Sequence, residues 1–124
     1  MKDLGKSDRG RRAYLDGQAA EDSIAARYLA DGHTLAARRW RGKGGEIDLI
    51  FRKGTEVIFV EVKRAASLAM AAERLSARQL NRIFQAGAEF LGTEPGGDLT
   101  PARVDLALVD HMGRHDVLMN IQPG

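Results

Sequence analysis

The sequence predicts an α/β domain in which a small mixed β-sheet is flanked by helices. Two apolar runs flank Lys53-Gly54 and predict a β-hairpin over residues 45–64, because glycine supplies the positive φ of a tight turn. A helical stretch then separates residues 56–63 from a second apolar run at 102–109. A strand, a crossover helix and another strand favour parallel pairing of those two runs. The predicted order is α-β-β-β-α-β-β.

Hydrophobic periodicity and local punctuation set the individual elements. Apolar residues at helical spacing, with Ser76 as the N-cap, predict the helix that ends at Leu91. On the strand before the hairpin, Leu35 and Ala37 are expected on one face. Residues 64–75 fit either a mobile loop or a short helix. The other predicted elements are a helix over residues 17–30, strands over 33–40 and 102–110, and an edge strand over 115–121.

Length and composition indicate one folded domain of modest size. The chain has 124 residues, of which 44% are hydrophobic and 29% charged, with a net charge of +2. Residues 1–13 are predicted to form a basic flexible arm, and residues 14–124 a single domain. The absence of cysteine excludes disulfides and thiolate metal sites, so a metal would need oxygen or imidazole ligands. Without a long apolar run, we expect a cytoplasmic protein with no membrane partner.

Three charged residues of the hairpin are expected to share one face of the sheet. With Lys53-Gly54 as the loop, Asp48 would pair with Phe59 and lie diagonal to Glu61, and Lys63 follows on the same face. A register slip of one residue would move Asp48 to the other face. Because like charges on neighbouring strands repel, acids at these positions need a cation. In the same register Glu46 would pair with Glu61.

The first helix is expected to bring a further acid to this sheet. Glu21 lies on the edge of its core-facing side. Plainer readings are open for each residue taken alone. Glu21 would suit the positive end of a helix dipole, the hairpin acids could be solvated, and Lys63 could form a simple salt bridge. The basic residues of the arm, Lys2, Lys6, Arg9, Arg11 and Arg12, and those before the hairpin would suit either phosphate or solvent.

Four blocks of the sequence resemble the signature of the YraN-like bacterial proteins over roughly residues 15–121. They are Gly17-Gln-Ala-Ala-Glu21, Ala25-Ala-Arg-Tyr-Leu29, Gly45-Glu-Ile-Asp-Leu-Ile50 and Phe59-Val-Glu-Val-Lys63. That family is similar to the PD-(D/E)xK nuclease superfamily, in particular its Holliday-junction-resolvase branch. The resemblance implies a restriction-endonuclease-like mixed sheet. It also implies a metal-dependent, structure-directed DNA endonuclease or a close relative of one.

The resemblance assigns roles to individual residues. Asp48, Glu61 and Glu21 would bind Mg²⁺ or Mn²⁺, for which hard oxygen ligands are suited, and Lys63 would be the catalytic lysine. Glu46 would support the site. The residues expected to hold the nucleic-acid backbone are Arg38, Arg39, Arg41, Lys43 and Gln79.

Two features depart from the superfamily pattern. Arg64-Ala65 replaces the usual Thr-Arg after the lysine, and Arg78 replaces the usual lysine before Gln79. These departures keep open a non-catalytic nucleic-acid-binding or scaffold protein with the same fold. Cleavage of a junction would require two sites and hence a homodimer.

Overall fold

Five strands form one mixed sheet with helices on both faces. In this computed structural model the backbone of residues 2–123 is described, together with the side chains of residues 9–13 and 16–123. The elements are α1 (Lys2–Ala30), β1 (Thr34–Arg41), β2 (Glu46–Lys53), β3 (Glu56–Ala65), α2 (Leu68–Glu73), α3 (Ala77–Leu91), a 3₁₀ turn (Gly97–Leu99), β4 (Ala102–Asp110) and β5 (His115–Leu118). Their spatial order is β1-β2-β3-β4-β5, and only the β3–β4 pair is parallel. The predicted α/β class and element order are confirmed.

The apolar core lies in two layers, one on each face of the sheet. Helix α1 packs on one face through Ile24 and Tyr28, which contact the cluster around Phe51. Helices α2 and α3 cover the other face, where Ile83 and Phe90 belong to a second cluster with Phe59. Every second residue of a strand points to the same face, so the continuous apolar run of β3 supplies both layers.

The hairpin turn lies one residue later than predicted. Lys53 pairs with Glu56, and the two-residue turn is Gly54-Thr55, with Gly54 at a φ of +62°. The predicted Lys53-Gly54 loop and the predicted Asp48–Phe59 and Glu46–Glu61 pairs are therefore wrong, and Phe59 pairs with Ile50 instead. Moving a two-residue turn by one position shifts each residue's partner by two. An even shift leaves the side chains of the paired residues on their expected faces.

Two further elements, α1 and β1, differ from the predictions, and a third, α2, decides between two alternatives that the sequence left open. Helix α1 begins at Lys2, so the predicted start near Gly17 is wrong and the predicted flexible arm is helical from Lys2 onward. The segment left open between loop and helix contains α2, which Ser67 caps by accepting a hydrogen bond from the amide of Met70. In β1 the register shifts between Leu35 and Ala37.

This shift corresponds to a β-bulge and corrects a prediction. Leu35 pairs with Phe51, whereas Ala37 pairs with Ile50, and these two partners point to opposite faces of β2. Leu35 and Ala37 consequently do not share a face, because the bulge inserts one unpaired residue between them.

The other predicted strands and the long helix are present, although the edge strand β5 ends at Leu118 and not at residue 121. Helix α3 begins after Ser76, whose hydroxyl accepts a hydrogen bond from the backbone N–H of Gln79. It ends at Leu91 as predicted. Within the part of the chain described here, no helix combines the length and hydropathy that crossing a bilayer requires.

Candidate active site

The predicted site lies where two neighbouring strands of the sheet part. Pairing between β2 and β3 ends at Leu49 and Val60, although β2 stays paired with β1 and β3 stays paired with β4 beyond this point. The next residue of β2 is Asp48. Its carboxylate accepts a hydrogen bond of 2.8 Å from the backbone N–H of Val62, which would otherwise lack a partner on that side. Asp48 therefore bridges the opening between the strands and is itself held in place.

Glu61 lies at this opening and is almost completely buried, with 3% of the residue exposed. Its Oε2 is 3.2 Å from Nζ of Lys63 and accepts a 2.5 Å hydrogen bond from Nε2 of Gln79. Because Gln79 belongs to the first turn of α3, that helix end lies over the carboxylate. Oε1 of Glu61 is buried and has no hydrogen-bond partner among the described residues.

The surroundings of Glu61 disfavour its charged form. Burial, followed by the neighbouring carboxylate of Asp48, raises the pKa of Glu61 to about 8, and Lys63 opposes this shift only in part. A cation bound between the two carboxylates would remove the cause of the repulsion.

Glu21 lies on α1 beside this pair but has a different partner. Its side chain is 13% exposed, and Oε1 is 3.4 Å from Nε of Arg39. Burial and the carboxylate of Asp48 raise the pKa of Glu21, whereas Arg39 lowers it. The expectation that α1 aims this acid at the site agrees with the charge interaction between Glu21 and Asp48.

The four predicted catalytic residues are thus neighbours, but they do not form a complete metal site as they stand. Among the residues described here, no three acidic or imidazole side chains are close enough together to hold a metal ion. The donors nevertheless suit Mg²⁺ or Mn²⁺, which take few protein carboxylates and retain several waters. The buried, unpartnered Oε1 of Glu61 is the feature that such a cation would explain.

The basic residues predicted to hold nucleic acid fall into two groups. Arg38 and Arg39 are ion-paired with acids of α1, Arg38 with Asp22 at 2.6 Å. Arg41 is largely exposed, 4.0 Å from Glu46, and Lys43 is also exposed. The remaining predicted contact, Gln79, binds Glu61 instead of facing solvent freely. Of the basic N-terminal residues, Lys2 and Lys6 lie outside the described side chains.

Glu89 of α3 holds the basic loop before the hairpin, a role that sequence reasoning missed. Its carboxylate accepts hydrogen bonds from the backbone N–H groups of Lys43 at 2.9 Å and Gly44 at 2.8 Å. These two bonds lower the pKa of Glu89. A Cβ atom on Gly44 would lie 3.0 Å from the backbone N of Ala86 in α3, which explains the glycine there. Gly42 and Gly44, on either side of Lys43, indicate a close contact of this loop, but the sequence does not show which residue it contacts.

A second buried polar cluster was also missed. Asp105, which is fully buried on β4, accepts hydrogen bonds from the hydroxyl of Tyr28 at 2.6 Å, Nε of Arg103 at 3.0 Å and the amide of Asn120 at 2.9 Å. Burial and the bond to Asp105 raise the pKa of Tyr28 above its usual range. An acid within the apolar run of residues 102–109 was the available signal. Since three donors satisfy this carboxylate, we interpret the cluster as structural.

Fold and site together define a small α/β protein with a buried glutamate, a partly buried aspartate and a lysine at a strand opening. Residues 20–118 match the model of "Uncharacterised protein family UPF0102". A UPF0102 protein of Ruegeria pomeroyi is 54% identical over 114 residues, covering 92% of this chain and 93% of the relative. UPF0102 proteins of Cereibacter sphaeroides (54% over 111 residues; 90% and 95% covered) and Dinoroseobacter shibae (48% over 113 residues; 91% and 84%) are also similar.

The chain therefore belongs to the UPF0102 family. This agrees with the YraN-like resemblance of its sequence blocks.

Proposed function

We propose that this protein is a metal-dependent, structure-directed DNA endonuclease. The observation that carries the proposal is the buried Glu61, placed between Asp48 and Lys63 at the strand opening, with a carboxylate oxygen that no described residue satisfies. A buried carboxylate of raised pKa, next to a second acid and a cationic side chain, is more typical of a functional site than of a structural ion pair. The resemblance to the PD-(D/E)xK nucleases supplies the reaction class.

Phosphodiester hydrolysis forms a bond from water oxygen to phosphorus and breaks one P–O ester bond, with a proton passing to the leaving oxygen. Asp48 and Glu61 would hold Mg²⁺ or Mn²⁺. The cation would supply Lewis acidity toward the phosphate and lower the pKa of water. The ammonium group of Lys63 would orient the attacking water and stabilise the negative charge that develops on phosphate oxygens. Arg41 and Lys43, both exposed, would contact the backbone without reading sequence.

The first experiment is cleavage of a labelled panel of duplex, single-stranded, flap and four-way-junction DNA with Mg²⁺ or Mn²⁺. We expect cleavage by the wild type, and a loss of at least about a hundredfold in both Glu61→Gln and Lys63→Met. Glu56→Gln and Lys53→Met make the same charge changes away from the site and should retain activity. All five proteins are purified identically, because cleavage that survives in the site variants would come from a contaminant and would refute the proposal.

A second candidate function is binding of nucleic acid without turnover. The observation in its favour is that Glu21 is paired with Arg39, and no three acids among the described residues form a ready metal site. A binding protein would show DNA affinity that falls steeply with salt and does not change in Glu61→Gln. A domain that only binds other proteins would show no salt-dependent DNA binding. Measuring affinity at several salt concentrations therefore separates the three classes.

A further inference from the structure

Arg39 has an unusual backbone conformation beside the candidate site. Its φ is +50°, and among the described residues other than glycine only Asn120 shares this left-handed region. Asparagine adopts such a φ readily, because its short polar side chain can form a hydrogen bond with the nearby backbone. Arginine has no such compensation. Residues held in disfavoured conformations persist where the surrounding structure over-determines them, and they concentrate at functional sites.

The position of Arg39 indicates what the conformation achieves. Its neighbours Arg38 and Trp40 pair with Leu49 and Ile47 of β2, so Arg39 lies across from Asp48. This is the point at which β2 leaves β3. From there the guanidinium reaches α1, with Nε 3.4 Å from Oε1 of Glu21. The distorted backbone thus aims a cation at Glu21, a carboxylate whose charge interacts with that of Asp48.

The charges around Glu21 give this contact a consequence. Glu21 and Asp48 are neighbouring carboxylates on different elements, and the guanidinium of Arg39 partly neutralises the first of them. A divalent cation at Asp48 and Glu61 would attract the same carboxylate. Arg39 and the cation would then compete electrostatically for Glu21, since its single negative charge cannot neutralise both.

We propose that Arg39 is a resident counter-charge for Glu21, which competes with a divalent cation and thereby lowers the affinity of the site for it. The proposal rests on the proposed function in one respect, namely that the site binds such a cation. It adds a role that differs from direct contact between Arg39 and nucleic acid. Arg39 is in this view a positioning residue, because it acts on the cation through Glu21.

The test is Mn²⁺ binding to the full chain, measured by titration calorimetry and by the loss of the free-Mn²⁺ electron paramagnetic resonance signal. Arg39→Asn removes the charge and keeps a residue that tolerates this backbone, as Asn120 does in the same chain. We expect Mn²⁺ to bind roughly three- to tenfold more tightly, since one competing charge is removed at short range in a partly screened site. Arg38→Asn removes an adjacent charge that is paired with the exposed Asp22 and acts on Glu21 less strongly than Arg39 does, so it should tighten binding less than Arg39→Asn.

A double-mutant cycle shows whether the effect passes through Glu21. In a Glu21→Gln background, Arg39→Asn should no longer tighten Mn²⁺ binding. Arg39→Gly, which also tolerates a positive φ, should repeat the result if the asparagine variant folds poorly, and circular dichroism checks folding in each case.

The outcomes separate this inference from the function on which it rests. Equal or weaker Mn²⁺ binding in Arg39→Asn, or tightening that persists without Glu21, would overturn the inference alone. A wild-type protein that binds no Mn²⁺ would overturn the inference together with the metal-dependent function.

Discussion

Replacing Glu61 with glutamine is expected to stabilise the fold by an amount that grows with pH. Glu61 is 3% exposed, and burial beside Asp48 raises its pKa from 4.5 to about 8. Between pH 4.5 and about 8, the Glu61 carboxyl therefore loses its proton in the unfolded chain but retains it in the folded chain. Glutamine has nearly the same shape, can accept the bond from Gln79, and carries no charge to desolvate.

The sign and size of the effect follow from proton linkage. Between pH 4.5 and about 8 the folded state binds more protons than the unfolded state, so the stability of the wild type falls as the pH rises. One proton corresponds to a slope of about 1.4 kcal/mol per pH unit, which gives a ceiling of about 5 kcal/mol over this interval. Because the charge of Lys63 offsets part of the cost of ionising Glu61, we expect about 1–3 kcal/mol at pH 8.

Urea unfolding at pH 5, 6, 7 and 8 in the presence of a chelator measures the difference between Glu61→Gln and the wild type. Glu46→Gln is the matched control, since it removes the same charge from an exposed position of the same hairpin. Its difference from the wild type should change little with pH. A difference for Glu61→Gln that stays constant from pH 5 to 8 would refute the reasoning. In a separate measurement without the chelator, added Mn²⁺ should stabilise the wild type at pH 8 but not Glu61→Gln.

Two predictions concern stability away from the site, and both can be measured by urea unfolding. Tyr28→Phe removes the hydroxyl that donates to the buried Asp105 at 2.6 Å, so it should cost about 1–3 kcal/mol; an unchanged midpoint would mean that this bond contributes nothing. Gly44→Ala would place a Cβ atom 2.8 Å from Cβ of Gln85 and should cost about 1–3 kcal/mol. Gly17→Ala is the matched substitution in helix α1, where no atom lies within 4 Å of the new Cβ, and it should stabilise the fold by about 0.5–1 kcal/mol. A loss of stability in Gly17→Ala, or an unchanged stability in Gly44→Ala, would contradict the packing described.

Local signals in the sequence were sufficient for most elements of the fold. The apolar stripe after Ser76 and its capping hydroxyl locate α3, and the strand–helix–strand order predicts the parallel pair at the centre of the sheet. The hairpin itself was predicted correctly even though its turn was misplaced by one residue. Alternation along a strand is an intrinsic property of the backbone, so it survives an even shift of register.

Other features follow from contacts between distant segments, which no local pattern records. The bulge between Leu35 and Ala37 depends on how β1 fits beside β2, and the left-handed Arg39 depends on the element that it reaches. The contact between Glu89 and the glycine loop joins residues far apart in the chain. The early start of α1 was missed because its first residues are polar and lack a hydrophobic stripe.

The sequence by itself determined the α/β class, the hairpin and the candidate residues Glu21, Asp48, Glu61 and Lys63. This information lies in the residue types and in the spacing of apolar residues, which repeats every two residues in a strand and every 3.6 in a helix. Both can be recognised within a single element. Only the tertiary structure decided that Asp48 bridges a strand opening, that Glu61 is buried with one oxygen unpartnered, and that Glu21 is paired with Arg39. Burial, competing partners and pKa arise when separate elements meet, so they are properties of the packed chain.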